Sequence, residues 1–163
     1  MRIYNTAFII IALLLSSCVS VELNGSKVTP AKDVQFSSPG SPFSEIKATG
    51  SDRAWLSKKT GNTISYLSEC GNANDPSLNE IENESLSVLS NMKIAKSEEG
   101  QFNGRGARYS TAVGDVDGVS VQMSLVVFKK NGCNYTLSYS GVEKQFSLEE
   151  KYFLKFQTQF KAP

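Results

Sequence analysis

The chain has 163 residues, with 17 Lys and Arg against 16 Asp and Glu, no histidine, and a formal net charge of +1. This near-zero balance leaves no basic footprint of the kind a nucleic-acid partner requires to displace counterions. The missing histidine removes His-based triads, Cys-His dyads and the commonest general base, and three cysteines are little from which to build a zinc centre.

The chain opens with a short segment carrying Arg2 and no acid, followed by the apolar run Ala7 to Leu15. That is the layout of a secretory signal. The run is too short to persist as a transmembrane helix, since crossing a hydrocarbon core of ~30 Å takes about 20 apolar residues. Leu15-Ser16-Ser17-Cys18 then resembles the lipobox of bacterial lipoproteins, in which a Leu, two small residues and a Cys are read by a peptidase that cleaves just before the Cys. The resemblance implies that residues 1–17 are a signal peptide and that Cys18 carries a diacylglycerol thioether. In most Gram-negative bacteria it further implies an acyl chain such as palmitate on the new amino group. Chemistry makes a Cys necessary there, because only a thiolate is nucleophilic enough at neutral pH to take the glyceryl group. Two or three chains, at about 0.8 kcal/mol per buried methylene, anchor stably, so the membrane is the first expected partner. In Gram-negative lipoproteins an Asp after the lipidated Cys retains the protein in the inner membrane. Val19 in that position implies the outer membrane, with the domain facing the periplasm or the cell surface. The competing reading is an ordinary signal peptide followed by an incidental Cys.

A leader of 17 residues taken from 163 leaves 146, and with Arg2 gone Lys and Arg equal Asp and Glu. That length suits one domain, able to bury about two-thirds of its unfolded surface. Residues 18–50 are rich in Ser, Pro, Gly, Lys and Thr, with Pro39-Gly40 and Ser41-Pro42 as turn signals, and read as the lipidated Cys and a flexible tether. Asp33 to Phe36 has enough β character to pair as an edge strand. The globular domain is expected over residues 51–163.

Within it "RAWLSK" and "NTISYLS" read as strands on either side of a turn at Thr60-Gly61-Asn62. A helix follows, with Asp75 as cap and Pro76 at its first position. Leu78, Ile81, Ser85, Val88, Leu89 and Met92 recur along it at helical spacing. Glu80, Glu82 and Glu84 sit toward its start and Lys93 at its end, as the helix dipole favours. "RGARYSTAV" alternates Ala107, Tyr109, Thr111 and Val113 and reaches the next strand through the turn cluster "GDVDG". In "GVSVQMSLVVF" the residues Val119, Val121, Met123, Leu125 and Val127 alternate with Ser120, Gln122 and Ser124. Asn131-Gly132 is a strong hairpin signal into a strand carrying Cys133, Tyr135, Leu137 and Tyr139. The final "SLEEKYFLKFQTQF" offers Ser147 and Glu150 as a capping box and Tyr152, Phe153, Phe156 and Phe160 as an aromatic core stripe.

Export places Cys70 and Cys133 in an oxidising compartment, where disulfides persist. Cys70 shares even numbering with Ile64 and Tyr66, and Cys133 shares odd numbering with Tyr135, Leu137 and Tyr139, so both thiols face apolar neighbours. A bridge between them fits this pattern, and two buried free thiols fit it as well.

Together these elements give an α+β domain with an antiparallel sheet covered by helices. The element order, and the ending in "FLKFQTQF" after the strand "YTLSY", is similar to PsbP-like domains, found in an extrinsic subunit of photosystem II and in several bacterial lipoproteins. The similarity would run from about Asp33 to Lys161. It implies a non-catalytic binding or scaffold role and assigns no site residue.

Enzyme signatures are weak. Ser44-Glu45-Ile46-Lys47 and Lys59-Thr60-Gly61 match the S-x-x-K and K-T-G of penicillin-binding enzymes, but they lie close together, no S-D-N occurs, and the domain is too small for that fold. "GDVDG" fails as a calcium loop, because with Gly118 at the glycine position Val113 falls at position 1. "NGRGAR" lacks the strand before and helix after that a phosphate cradle needs, which leaves Arg105 and Arg108 as solvated strand ends. Asn83-Glu84-Ser85 and Asn134-Tyr135-Thr136 match a glycosylation acceptor, for which a bacterial lipoprotein is not an ordinary substrate. The expectation is therefore a lipid-anchored protein without cofactor, metal or enzyme activity, whose domain binds another envelope protein or cell-wall material. The alternative is a carrier of an apolar small molecule, held in a pocket between sheet and final helix where Tyr135, Tyr139, Phe153 and Phe156 converge.

Overall fold

The computed structural model describes residues 28–72 and 74–163, so Cys18, the apolar run before it and residues 18–27 of the proposed tether lie outside the described residues. Three two-residue turns organise the second half of the chain: Asn103-Gly104, Asp117-Gly118 and Asn131-Gly132. In each, both residues have positive φ, between 50° and 79°, the backbone of a primed turn, whose twist matches that of the strands it joins. They link β4 (Ser90–Phe102), β5 (Arg105–Val116), β6 (Val119–Lys130) and β7 (Cys133–Val142) into a meander. A second meander, β1 (Phe43–Ile46), β2 (Arg53–Ser57) and β3 (Thr63–Cys70), joins it by pairing β3 with β7. The result is a seven-stranded antiparallel sheet in the order β1-β2-β3-β7-β6-β5-β4.

Cys70 stands directly opposite Cys133 in the β3–β7 register and the two form a disulfide across 63 residues of sequence. It ties the two meanders at the seam that is longest in sequence. Each face of the sheet carries its own core. One contains Trp55, Ile64, Tyr66, Val126, Phe128, Tyr135, Leu137 and Tyr139. It is covered by α2 (Glu143–Phe146) and α3 (Glu150–Gln159), which bring down Phe146, Phe153 and Phe156, with Phe160 just beyond. The other face presents Ala112, Leu125 and Val127 to Ile81 and Leu86 of α1 (Leu78–Leu86) and to Leu89. Strand β6 is therefore buried on both sides over Ser124 to Phe128, and its alternating series Val121, Met123, Leu125 and Val127 belongs to the α1 side.

The structure differs from the expected elements at several points. The tether is shorter than residues 18–50. Thr29 bridges Cys70, Gln35 bridges Lys161, Phe36 packs on Trp55, Tyr66 and Phe156, and Phe43 begins β1 as a buried residue. Two aromatics with a core to join outweigh the Ser and Pro content around them. The α1 cap is Ser77, not Asp75. Its hydroxyl accepts from the Glu80 amide while the Glu80 carboxylate accepts from the Ser77 amide at 2.7 Å, a capping box that holds the Glu80 carboxyl below its usual range. The helix ends at Leu86, and the stretch expected to continue it through Met92 opens β4 instead. In β5 the buried positions beyond Tyr109 are Ser110, Ala112 and Gly114, not Thr111 and Val113, because α1 and Leu89 lie on that side. A Cβ on Gly114 would stand 2.9 Å from Leu89 Cβ and 2.7 Å from the Ser90 carbonyl. The Ser147 box does not form. Ser147 closes α2, α3 starts only at Glu150, and Glu149, at the cap position, sends its side chain elsewhere.

Candidate functional site

Tyr135, Tyr139, Phe153 and Phe156 do meet between sheet and helix, but they fill that space. Tyr135 stacks on Phe128 at 4.8 Å, Tyr139 on Phe153 at 5.7 Å, and Phe156 lies 5.4 Å from Trp55. All four are fully buried in the main core, and the hollow of about 200 Å³ that remains between α3 and strands β5 and β6 is lined by Phe153 but not by Tyr135, Tyr139 or Phe156.

Beside this core the β2–β3 turn is fastened to the α2–α3 junction by a buried polar cluster. The Glu149 carboxylate accepts from the hydroxyls of Ser57 at 3.0 Å and Thr60 at 2.5 Å. Asn62 Nδ2 donates to the Tyr139 hydroxyl at 2.8 Å and to the Gln145 carbonyl at 3.0 Å, and Tyr139 donates to the Phe146 carbonyl at 2.6 Å. Burial, then the nearby Glu149 and Glu150, push the Tyr139 hydroxyl well above the ordinary tyrosine range. An oxygen held protonated and already donating is neither base nor nucleophile, so the cluster is a staple. Gly141 makes room for it, since a Cβ there would lie 1.8 Å from Asn62 Oδ1. Thr60, the central residue of the K-T-G match, is committed to this staple, while Ser44 and Lys47 are exposed at the β1 edge.

A second cluster sits under α1. Glu82 is 2 % exposed and accepts from Arg108 Nε at 2.8 Å and from the Ser97 and Ser110 hydroxyls. Arg108 is thus no solvated strand end; it is the counter-charge to a buried carboxylate. An i, i+26 relation of this kind leaves no local signal, and only the side of β5 facing α1 would have disclosed it. Among the described residues no group of three or more acidic or cysteine side chains is gathered as a metal site.

What remains open is the part of the α1 face that α1 does not reach. The helix sits over β5 and β6, leaving a groove of about 280 Å³ between its outer side and strands β3, β7 and β6. Leu67, Ile81, Val88, Met123 and Leu125 supply its apolar surface. The hydroxyls there are partly spent on the protein itself: Ser65 and Ser138 hydrogen-bond each other at 2.6 Å, and Ser85 donates to the Ile81 carbonyl. Two carboxylates, Glu69 and Glu84, complete the lining, and no lining residue is a cation. Burial, the neighbouring Glu84 and then Asp52 raise the Glu69 carboxyl above its ordinary range. A larger hollow of about 460 Å³ lies in the β1–β2 loop, but Glu45, Lys47, Asp52 and Arg53 line it with both signs of charge, as a solvated loop does. The groove beside α1 had no sequence signal beyond the alternation of β6, since its walls come from four separate elements.

No family model and no curated protein sequence matches the chain. Solved structures do. The cyanobacterial PsbP (CyanoP) of Synechocystis is 12% identical with a TM-score of 0.56, covering 91% of this chain and 99% of its own. LpqN of Mycobacterium tuberculosis, described as involved in cell envelope biogenesis, is 11% identical with a TM-score of 0.59, covering 86% and 88%. A Pseudomonas aeruginosa protein of unknown function is 14% identical with a TM-score of 0.51, covering 74% and 82%. At these identities the likeness is one of fold: the α+β architecture is PsbP-like, as the order of elements implied.

Proposed function

We propose that the chain is a lipid-anchored protein of the bacterial envelope whose PsbP-like domain binds a partner through the groove beside α1 and performs no covalent chemistry. The anchor rests on Leu15-Ser16-Ser17-Cys18 after its apolar run, with Val19 favouring the outer membrane. The mature chain then runs from Cys18, and residues from Thr29 onward pack with the folded unit. The partner is another envelope protein or cell-wall material. An envelope role also accords with the fold shared with LpqN.

One observation carries the binding role: an apolar surface with two carboxylates is left open beside the helix that covers β5 and β6. Among the described residues its serine hydroxyls are bonded to each other or to a backbone carbonyl and none is paired with a carboxylate, which favours binding over nucleophilic catalysis. The carrier alternative loses its pocket to Tyr135, Tyr139, Phe153 and Phe156. The groove, at about 280 Å³, is moreover just below the roughly 300–1,000 Å³ of small-molecule sites. The test is a photoreactive residue at Val88, on the groove rim and 58% exposed, against one at Leu154, on α3 and 54% exposed, in intact cells. A discrete adduct from Val88 and none from Leu154 is expected. Equal labelling from both, or none from Val88, would refute the assignment.

A further inference from the structure

We infer that the groove beside α1 receives a lysine or arginine side chain from an apolar-rich segment of a partner protein. Its aliphatic stem would lie on Leu67, Val88 and Met123, and its cationic head would meet the carboxylates of Glu69 and Glu84. The inference deepens the binding role proposed above and rests on it.

Charge complementarity identifies the occupant. Around α1 the other acidic side chains have cationic partners where they approach the sheet: Glu82 has Arg108 and Asp75 has Lys129. Among the described residues neither Glu69 nor Glu84 is in an ion pair. Glu69 is half-buried beside two like charges; burial first, then Glu84 and Asp52, raise its carboxyl, and a cation placed beside it would offset both. Folding alone does not favour that arrangement, whereas an incoming cation relieves it. A cation with a long apolar stem suits the site better than a small ion, because the groove offers aliphatic contact leading to the carboxylates, the way Lys and Arg pack their stems on apolar surface. A volume of about 280 Å³ accommodates one or two side chains and not a folded lobe or a lipid tail bundle.

The probes are fluorescein-labelled peptides of alternating Leu and Lys, Leu and Glu, and Leu and Gln, titrated by anisotropy against the full chain in uncharged detergent. The Leu-Lys peptide should bind at least about tenfold more tightly than the other two, as charge-assisted hydrogen bonds in a half-buried site predict. Glu69→Gln/Glu84→Gln should abolish that preference while leaving the thermal midpoint unchanged or raised, because the substitution removes an unfavourably buried charge. Equal binding of the three peptides, preference for Leu-Gln or for a labelled fatty acid, or a preference that survives the double substitution would overturn the inference. The Val88 adduct separates the two levels. If it persists in cells carrying the double substitution, the groove binds a partner but not through a cation; if it is absent from the wild type, the binding role fails first.

Discussion

Arg108 on β5 closes its guanidinium on Glu82 of α1 at 2.8 Å, with the carboxylate 2% exposed. The pair crosses the helix–sheet interface, so it fixes where α1 sits and thereby where the groove opens. Removing one partner of a buried pair costs about 3–5 kcal/mol, because the other is left as an unpaired buried charge, whereas replacing both by apolar groups of similar volume is often near neutral. Arg108 is partly exposed, so Arg108→Met should cost about 3 kcal/mol in urea unfolding. Adding Glu82→Leu to it should recover most of that loss. Additive losses in the double variant would show that the pair is not coupled.

Phe36 lies outside the sheet yet meets the rings of Trp55, Tyr66 and Phe156 at 5.3 to 6.2 Å. Its truncation removes an aromatic from a packed cluster, so Phe36→Ala should lower stability by about 3 kcal/mol. Ser37→Ala beside it, on an exposed residue, should change stability by less than about 0.5 kcal/mol. A silent Phe36→Ala would return the segment to the tether.

Phe156 is fully buried between Trp55 and Phe160, at 5.4 and 5.8 Å. Phe156→Ala should cost about 3 to 5 kcal/mol, while Lys151→Glu on the exposed side of α3 should cost under about 0.5 kcal/mol. The measurement is the thermal midpoint of each variant. A stable Phe156→Ala that lost the Val88 adduct would make α3 a docking element and place the working face on the wrong side of the sheet.

Burial raises the hydroxyls of Tyr66, Tyr109, Tyr135 and Tyr139, with nearby carboxylates adding to the effect at Tyr66, Tyr135 and Tyr139. A group whose folded pKa lies above its unfolded value contributes stability below the unfolded value and loses it as pH rises. The unfolding midpoint in urea should therefore hold to about pH 9 and fall beyond about pH 10, the ordinary tyrosine value. Tyr139→Phe should flatten that fall while lowering the midpoint at neutral pH, since the Phe146 carbonyl loses its donor.

The parts of this fold that were legible in sequence are those with one dominant local cause. Asn131-Gly132 adopts the positive φ values it favours, the β6 series Val121, Met123, Leu125 and Val127 shares the side facing α1, and Cys70 meets Cys133 because both lie on apolar-facing positions of paired strands. Strand β4 was not legible. It is exposed along nearly its whole length, so no side-chain period marks it, and its pairing with β5 is held by backbone hydrogen bonds that any sequence can make. Asn103-Gly104 was the available sign of that hairpin. The α1 cap lay two residues on from Asp75 because Ser77 has Glu80 three residues after it, a reciprocal pair that a lone Asp does not offer. The groove was legible least of all, since Glu69 and Glu84 converge only after β3 and α1 are placed.

The anchor is the premise on which every envelope role depends, and the mass of the protein extracted from native membranes tests it directly. Lipidation at Cys18 predicts a chain beginning at Cys18 and heavier than its peptide by a diacylglyceryl group, with or without a further acyl chain, and a Cys18→Ser variant that loses both the added mass and the membrane. A membrane-bound chain with an unmodified Cys18 thiol, or a mature chain beginning at another residue, would contradict it.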